Sequence, residues 1–156
     1  IGSERRIINW RQSTCSVPDC PDQLIESITT NQACRLILLT PAHFTEGYIP
    51  SWIREQRDDV QLQPELRAIA IDRPQVVSGW DLAKGEPKKT RRLAPAGTVL
   101  FLSFNKDSSK QAIEEWISKT WMHCISDRPQ DRIDGFGLAV LGTWLDEMRD
   151  REGQKI

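Results

Sequence analysis

The run Arg35-Leu36-Ile37-Leu38-Leu39-Thr40, closed by Pro41, limits the fold more than any other stretch of the chain. It is too short to be a core helix or to cross a bilayer, so it reads as a strand buried on both faces. The 156 residues around it (17.9 kDa, 38% hydrophobic, 28% charged) are enough for one globular domain. A domain of this size buries roughly 70% of its unfolded surface, so neither disulfides nor a structural metal is required for folding. Lys and Arg number 21 against 22 Asp and Glu, a net charge of -1. The total charge therefore calls for neither nucleic acid nor membrane, and any electrostatic function has to be local. The start, Ile1-Gly2-Ser3-Glu4-Arg5-Arg6, has no apolar signal segment, which sets the expectation of a cytoplasmic protein. The missing initiator Met suggests a piece of a longer product or a removed tag.

Other elements follow from periodicity. Arg6 to Trp10 reads as a strand. After the turn-rich Ser16 to Pro21, a short helix is expected with Pro21 in its first turn and Leu24, Ile25 and Ile28 on one stripe. Pro41 to Pro64, with Gly47, Pro50, Phe44, Tyr48 and Trp52, reads as a long ordered loop containing a single helical turn. Leu66 to Asp72, Gln75 to Leu82 and Thr98 to Phe104 read as strands, the last two forming a hairpin across the polar connection Ala83 to Pro95. Ser108 with Gln111 suggests a capping box opening a helix whose apolar face is Ile113, Trp116, Ile117, Thr120 and Cys124. Ile133 to Trp144 is a glycine-bearing loop running into the apolar Leu138 to Leu141, and Asp146 to Lys155 is a tail of mixed charge. Strands with one early and one late helix predict an α+β domain, helices on one face of an antiparallel sheet. A ferredoxin-like arrangement is the first candidate, although composition does not fix the strand order.

Two stretches carry chemistry. Lys84-Gly85-Glu86-Pro87-Lys88-Lys89-Thr90-Arg91-Arg92 holds five cations and one acid in a Gly- and Pro-bearing connection, suited to tracking the phosphates of a single strand. A solvated loop has the same composition. Trp80, on the strand leading in, is placed to stack on a base or to fill the core, and Thr90 adds a neutral phosphate donor. The second stretch is Gly135-Phe136-Gly137-Leu138-Ala139-Val140-Leu141-Gly142-Thr143. It lacks the lysine of a phosphate-binding P-loop, since Thr143 stands there, and it lacks the third glycine of the dinucleotide fingerprint, since Val140 stands there. What is left is a backbone that can be approached closely at Gly135 and Gly137, by RNA or by a packed neighbour.

Catalysis has little support in the spacing. His43 and His123 are far apart with no local Tyr, Lys or second His, and Asp58-Asp59 lies in a charged run, so no catalytic residue is assigned. Cys15 and Cys20 have four residues between them and no second close pair, which matches no zinc pattern, and no metal or other cofactor is expected. Cys34, Cys124 and the others read as reduced structural thiols.

Taken in order, Gly2-Ser3-Glu4-Arg5-Arg6, Pro41-Ala42-His43-Phe44, Ser78-Gly79-Trp80-Asp81, Lys88-Lys89-Thr90-Arg91-Arg92, Pro95-Ala96-Gly97-Thr98-Val99 and the Gly135 to Gly142 loop resemble one known family. It is the third Cmr subunit, a repeat-associated mysterious protein (RAMP) of type III-B CRISPR effector complexes in antiviral defence. The likeness runs from Gly2 to about Thr143. It implies that residues 1–156 are a single ferredoxin-like, RNA-recognition-type domain, the C-terminal one of two, with an antiparallel sheet, a long basic hairpin insertion and a glycine-rich loop. It implies a non-catalytic subunit that holds the 5′ handle of the guide RNA and contacts the large polymerase-like subunit and the first backbone subunit. The RNA-binding residues would then be Trp80, Lys84, Lys88, Lys89, Thr90, Arg91, Arg92, Gly135, Phe136 and Gly137. Two alternatives stand beside it. One is a RAMP endoribonuclease that cleaves repeat RNA through His43; the other is a protein scaffold that buries Tyr48, Trp52 and the glycine loop against neighbours.

Overall fold

The computed structural model describes Arg11, residues 16–54 and residues 62–145. The predicted strand Arg6 to Trp10, the Asp58-Asp59 pair, Cys15 and the charged tail lie outside the described residues. Helix α1 (Asp22–Asn31) follows Pro21, whose extended backbone leaves it at the cap, one position before the first turn expected for it. The Pro21 carbonyl accepts from the Leu24 and Ile25 amides at 2.9 and 3.1 Å. The helix ends at Gln32 in the left-handed region (φ 48°), which turns the chain directly into β1 (Ala33–Leu38).

Beyond β1 come the single turn α2 (Ser51–Arg54), β2 (Glu65–Ala70), β3 (Gln75–Val77), β4 (Trp80–Asp81), β5 (Glu86–Pro87), β6 (Arg91–Leu93), β7 (Val99–Ser103), α3 (Lys110–Thr120), α4 (Pro129–Ile133) and β8 (Ala139–Thr143). Four strands make the main sheet, in the order β2-β7-β1-β8 with every pairing antiparallel. Counted by their order along the chain, they lie second, third, first, fourth. One face of this sheet carries Cys34, Leu36 and Leu38 from β1, Leu100 and Leu102 from β7, and Ala139 and Leu141 from β8, all buried. Ile28 of α1 and Ile113 and Ile117 of α3 close over them, and the two helices pack on each other. The result is the expected α+β domain with helices on one face.

Several details differ from the sequence reading. Beyond Ala33, strand β1 is deeply buried on one face only. Arg35 is exposed and Ile37 half-buried on the other, where register places Ala70, Val99, Ile37 and Val140 in one cross-strand row and Ala68, Phe101, Arg35 and Gly142 in the next. Helix α3 is capped by Ser109, one residue later than expected, whose hydroxyl accepts from the Ala112 amide at 3.2 Å; Gln111 is not part of a capping box. Cys124 lies past the end of α3, in a bridge to Leu138.

The largest correction concerns the predicted hairpin. Gln75 to Leu82 does not pair with Thr98 to Phe104. Strand β7 is taken on both edges by β1 and β2, so the chain between Asp72 and Ala94 pairs with itself. It forms a two-tier ribbon, β3 with β6 and then β4 with β5, closed by a turn in which Asp81 Oδ1 accepts from the Ala83 and Lys84 amides. No helix among the described residues is long and apolar enough to cross a membrane.

Two outcomes follow from this packing. Ile117→Ala removes a fully buried side chain between α3 and the sheet and is expected to cost about 2–4 kcal/mol in urea unfolding. Val76→Ala, on the exposed face of the ribbon, should stay within about 0.5 kcal/mol of the parent. Burial drives the Cys34 thiol far above its ordinary range, and alkylation requires the thiolate. Iodoacetamide should therefore leave Cys34 unmodified in the folded protein and label it only in denaturant, as peptide mass spectrometry would read.

Candidate nucleic-acid interface

The site is built on the segment that leaves β1. Residues 40–44 are held along both sides. Ala42 exchanges two 2.8 Å backbone hydrogen bonds with Ala94, where the ribbon returns to the sheet. The opposite side meets the glycine loop. The Thr40 hydroxyl donates to the Gly135 carbonyl at 2.8 Å and accepts from the Gly137 and Leu138 amides at 3.1 and 2.9 Å, while the Pro41 carbonyl accepts from the Gly137 amide at 2.8 Å. Further along, the His43 amide donates to Ser126 Oγ at 3.0 Å, and the Ser126 hydroxyl donates to the Phe136 carbonyl at 2.9 Å. The Asp127 carboxylate accepts from the Thr45 and Ser51 amides at 2.7 and 3.0 Å.

These bonds explain one of the glycines. Gly137 has φ +88°, and a Cβ there would lie 2.8 Å from both the amide nitrogen and the hydroxyl of Ser126. Its close neighbour is this chain's own backbone. Gly135 also has a positive φ (+85°), yet a Cβ there would meet nothing within 4 Å. Of the two, Gly135 is the one open to another molecule.

The ribbon and the glycine loop meet at one carboxylate. Asp131, on α4, is 2% exposed. Its Oδ2 lies 2.6 Å from His43 Nδ1, and its Oδ1 accepts from the Arg91 guanidinium. The backbone carbonyl of Asp131 accepts from the Phe136 amide at 2.9 Å, and the Arg91 guanidinium lies over the Phe136 ring, 5.7 Å from its centroid. Arg91 and Phe136, 45 positions apart, therefore share one partner and stack on one another.

The remaining cations point outward. Register alternates along the ribbon, so Val77 and Arg91 are half-buried while Val76 and Arg92 are exposed. Lys84, Lys88, Lys89 and Thr90 are exposed too, and none of Lys84, Lys88, Lys89 or Arg92 has a carboxylate within ion-pair distance among the described residues. Trp80 stands opposite Pro87 and is 58% exposed, so it is no core residue. Trp52 and Tyr48 divide: Trp52 packs edge-on against Trp116 at 6.2 Å beside the core, whereas Tyr48 is exposed.

Sequence reasoning missed Thr40, Ser126 and Asp131. The partners of Asp131 lie 40 and 88 residues away, beyond any local spacing signal. His123 stands apart from this site, its Nδ1 at 2.8 Å from the Trp121 carbonyl. On the helical side, a cleft of about 440 Å3 beside Trp52 and Trp116 contains Lys119 and Arg132, but Lys119 pairs with Glu115, and Arg132 donates to the carbonyls of Ser126 and Asp127. No group of three or more His, Cys, Asp and Glu side chains that could hold a metal occurs among the described residues.

Together these elements define an α+β protein whose glycine loop and basic ribbon converge on one buried acid. The family model of the CRISPR-associated protein Cas_Cmr3 matches residues 1–144, nearly the whole chain. The chain belongs to that family, the Cmr3 subunits of the type III-B CRISPR complex. Among curated proteins none matches.

The two glycines should separate in a mutational test. Gly137→Ala combines a positive φ with a backbone clash and is expected to lose about 2–4 kcal/mol of unfolding free energy. Gly135→Ala meets only the positive φ and should lose about 1–2 kcal/mol. Equal losses in urea titrations would contradict the packing described.

Proposed function

We propose that this chain is a non-catalytic, RNA-binding subunit of its effector complex, holding the 5′ handle of the guide RNA on the basic ribbon and glycine loop. The observation that carries the reading is the ribbon itself: Lys84, Lys88, Lys89 and Arg92 stand exposed without carboxylate partners among the described residues, with Trp80 exposed on the same ribbon. Cations on a narrow two-stranded element can follow a phosphate backbone and release its counterions, while an exposed indole offers a base a stacking surface. Phosphate contacts position the RNA without reading it. Base identity then falls to groups near Gly135 and Phe136, the open end of the glycine loop.

The ferredoxin-like, RNA-recognition-type reading is supported by the strand order second, third, first, fourth and by α3 in the second crossover. The first crossover, between β1 and β2, contains only the turn α2 among the described residues. Family membership supports assembly with other Cmr subunits. We assign the large polymerase-like subunit and the first backbone subunit as its neighbours on the family resemblance alone.

One observation favours a second reading. His43 and Asp131 have the geometry of a general base and its orienting carboxylate. Against a nuclease, Asp131 is shared with Arg91, and the Ser126 hydroxyl is spent on the His43 amide and the Phe136 carbonyl. If a nuclease, the chain would cleave repeat RNA without metal and lose that activity in His43→Ala.

The test is single-stranded RNA binding by fluorescence anisotropy across a salt series, comparing the parent with the Lys84, Lys88, Lys89, Arg92→Ala variant. Four phosphate contacts predict a log K against log[salt] slope of about -3, at roughly -0.7 per contact. The variant should lose most of that slope, and the RNA should remain intact. Equal binding by both proteins would move the scaffold reading to first place.

A further inference from the structure

We propose that Asp131 is a positioning residue: by gripping Arg91 it docks the basic ribbon onto the glycine loop, so that the two halves of the RNA surface act as one. This inference rests on the RNA-binding reading for its consequence but not for its geometry. Among the described residues, the Arg91 to Asp131 bond is the one side-chain hydrogen bond joining residues 75–92 to the rest of the protein. The ribbon's other bonds are internal: its own ladders, the Lys88 amide to the Gly79 carbonyl, the Gly85 amide to the Asp81 carbonyl, and the Ala83 and Lys84 amides to the Asp81 carboxylate. A two-stranded ribbon is marginal without outside support, so its orientation depends on whatever ties it down.

The tie is specific in form. The carboxylate is almost fully buried and spends one oxygen on His43, from the segment leaving β1, and the other on Arg91, from the ribbon. Its own main chain holds Phe136, and the guanidinium lies across that ring. Three stretches of backbone distant in sequence, around His43, around Arg91 and from Asp131 to Phe136, thus meet at one acid. Buried ion pairs add little stability over apolar packing, and their better-attested effect is to select one arrangement. Arg91 accordingly differs in role from Lys84, Lys88, Lys89 and Arg92. Its half-buried guanidinium is committed to Asp131, and it orients the ribbon instead of neutralising a phosphate.

The distinction is measurable. In the Asp131→Asn chain, hydrogen-deuterium exchange should speed up in residues 75–93 while the amides of β1 and β7 keep their protection. RNA affinity should fall about tenfold at every salt concentration with the log-log slope unchanged, since no phosphate contact is lost. Arg91→Gln should reproduce both effects, and the Arg91→Gln, Asp131→Asn double variant should bind no worse than the weaker single, because the two residues act as one unit. Faster exchange throughout the domain in both single variants would overturn the proposal, leaving Asp131 as a general stability residue. So would parent-like exchange in the ribbon, or a reduced salt slope in Arg91→Gln, which would make Arg91 a phosphate contact. If the parent fails to bind RNA, the functional reading falls, while the exchange pattern still decides whether Asp131 docks the ribbon.

Discussion

Strand β1 and its continuation to Phe44 are the constraint on which the rest of the molecule depends. Within the sheet, β1 is hydrogen-bonded by β7 on one edge and β8 on the other. Past the sheet, the same stretch of chain stays bound on both sides, by Ala94 and by the glycine loop. Each neighbour of this twelve-residue stretch is the end of a long excursion: the ribbon ends at Ala94, and α3, α4 and the glycine loop lead into β8. Pinning those ends to one central strand is what brings Arg91, His43, Asp131 and Phe136 to a common place. The apolar face of β1, with Cys34, Leu36 and Leu38 fully buried, supplies the free energy that keeps the strand there.

Burying Asp131 has an electrostatic cost that the sheet must offset. A carboxylate this far from water is tolerable only when both oxygens are satisfied, and the His43 ring and the Arg91 guanidinium satisfy them. Neither partner comes from the local chain, so the buried acid is satisfied only where the segment leaving β1 and the ribbon are both in place. Ser126 and Thr40 follow the same logic on a smaller scale. Each hydroxyl both donates and accepts, and between them they bond the backbone of His43, Gly135, Phe136, Gly137 and Leu138. The loop is thereby fixed by polar bonds where it has little apolar surface of its own.

What could be read from the sequence divides along the same line. Helix α1, the strand over Leu36, the strand over Leu66 and helix α3 carry their own apolar periodicity, and all were legible. The glycine and basic stretches stand out by composition, and they contain Arg91 and Phe136, whose contact only the tertiary structure shows. The ribbon was misread because its strands are two or three residues long with mostly exposed side chains, so they carry no alternation to find. The pairing of Gln75 to Leu82 with Thr98 to Phe104 is reasonable locally, and it fails because β1 and β2 already occupy both edges of β7. Asp131 was invisible for a different reason. An acid inside Pro129-Gln130-Asp131-Arg132 looks like any solvated charge at a helix start, and only tertiary structure shows that it is buried.

The near-neutral total charge is consistent with an RNA surface once the placement of charges is considered. Between Lys84 and Arg92 the chain carries five cations and one acid, and Asp131 holds Arg91 inward. The four cations left exposed lie on an element whose remaining side chains make no other ion pair with the body of the protein among the described residues. At physiological salt, charges separated by more than about 8 Å are largely screened from one another, so an approaching phosphate responds to the local pattern and hardly to the sum over the chain. Asp131 contributes to that pattern in a second way. Buried and paired, its negative charge is offset by the guanidinium it holds, so the acid that fixes the ribbon does not oppose the phosphates the ribbon would meet.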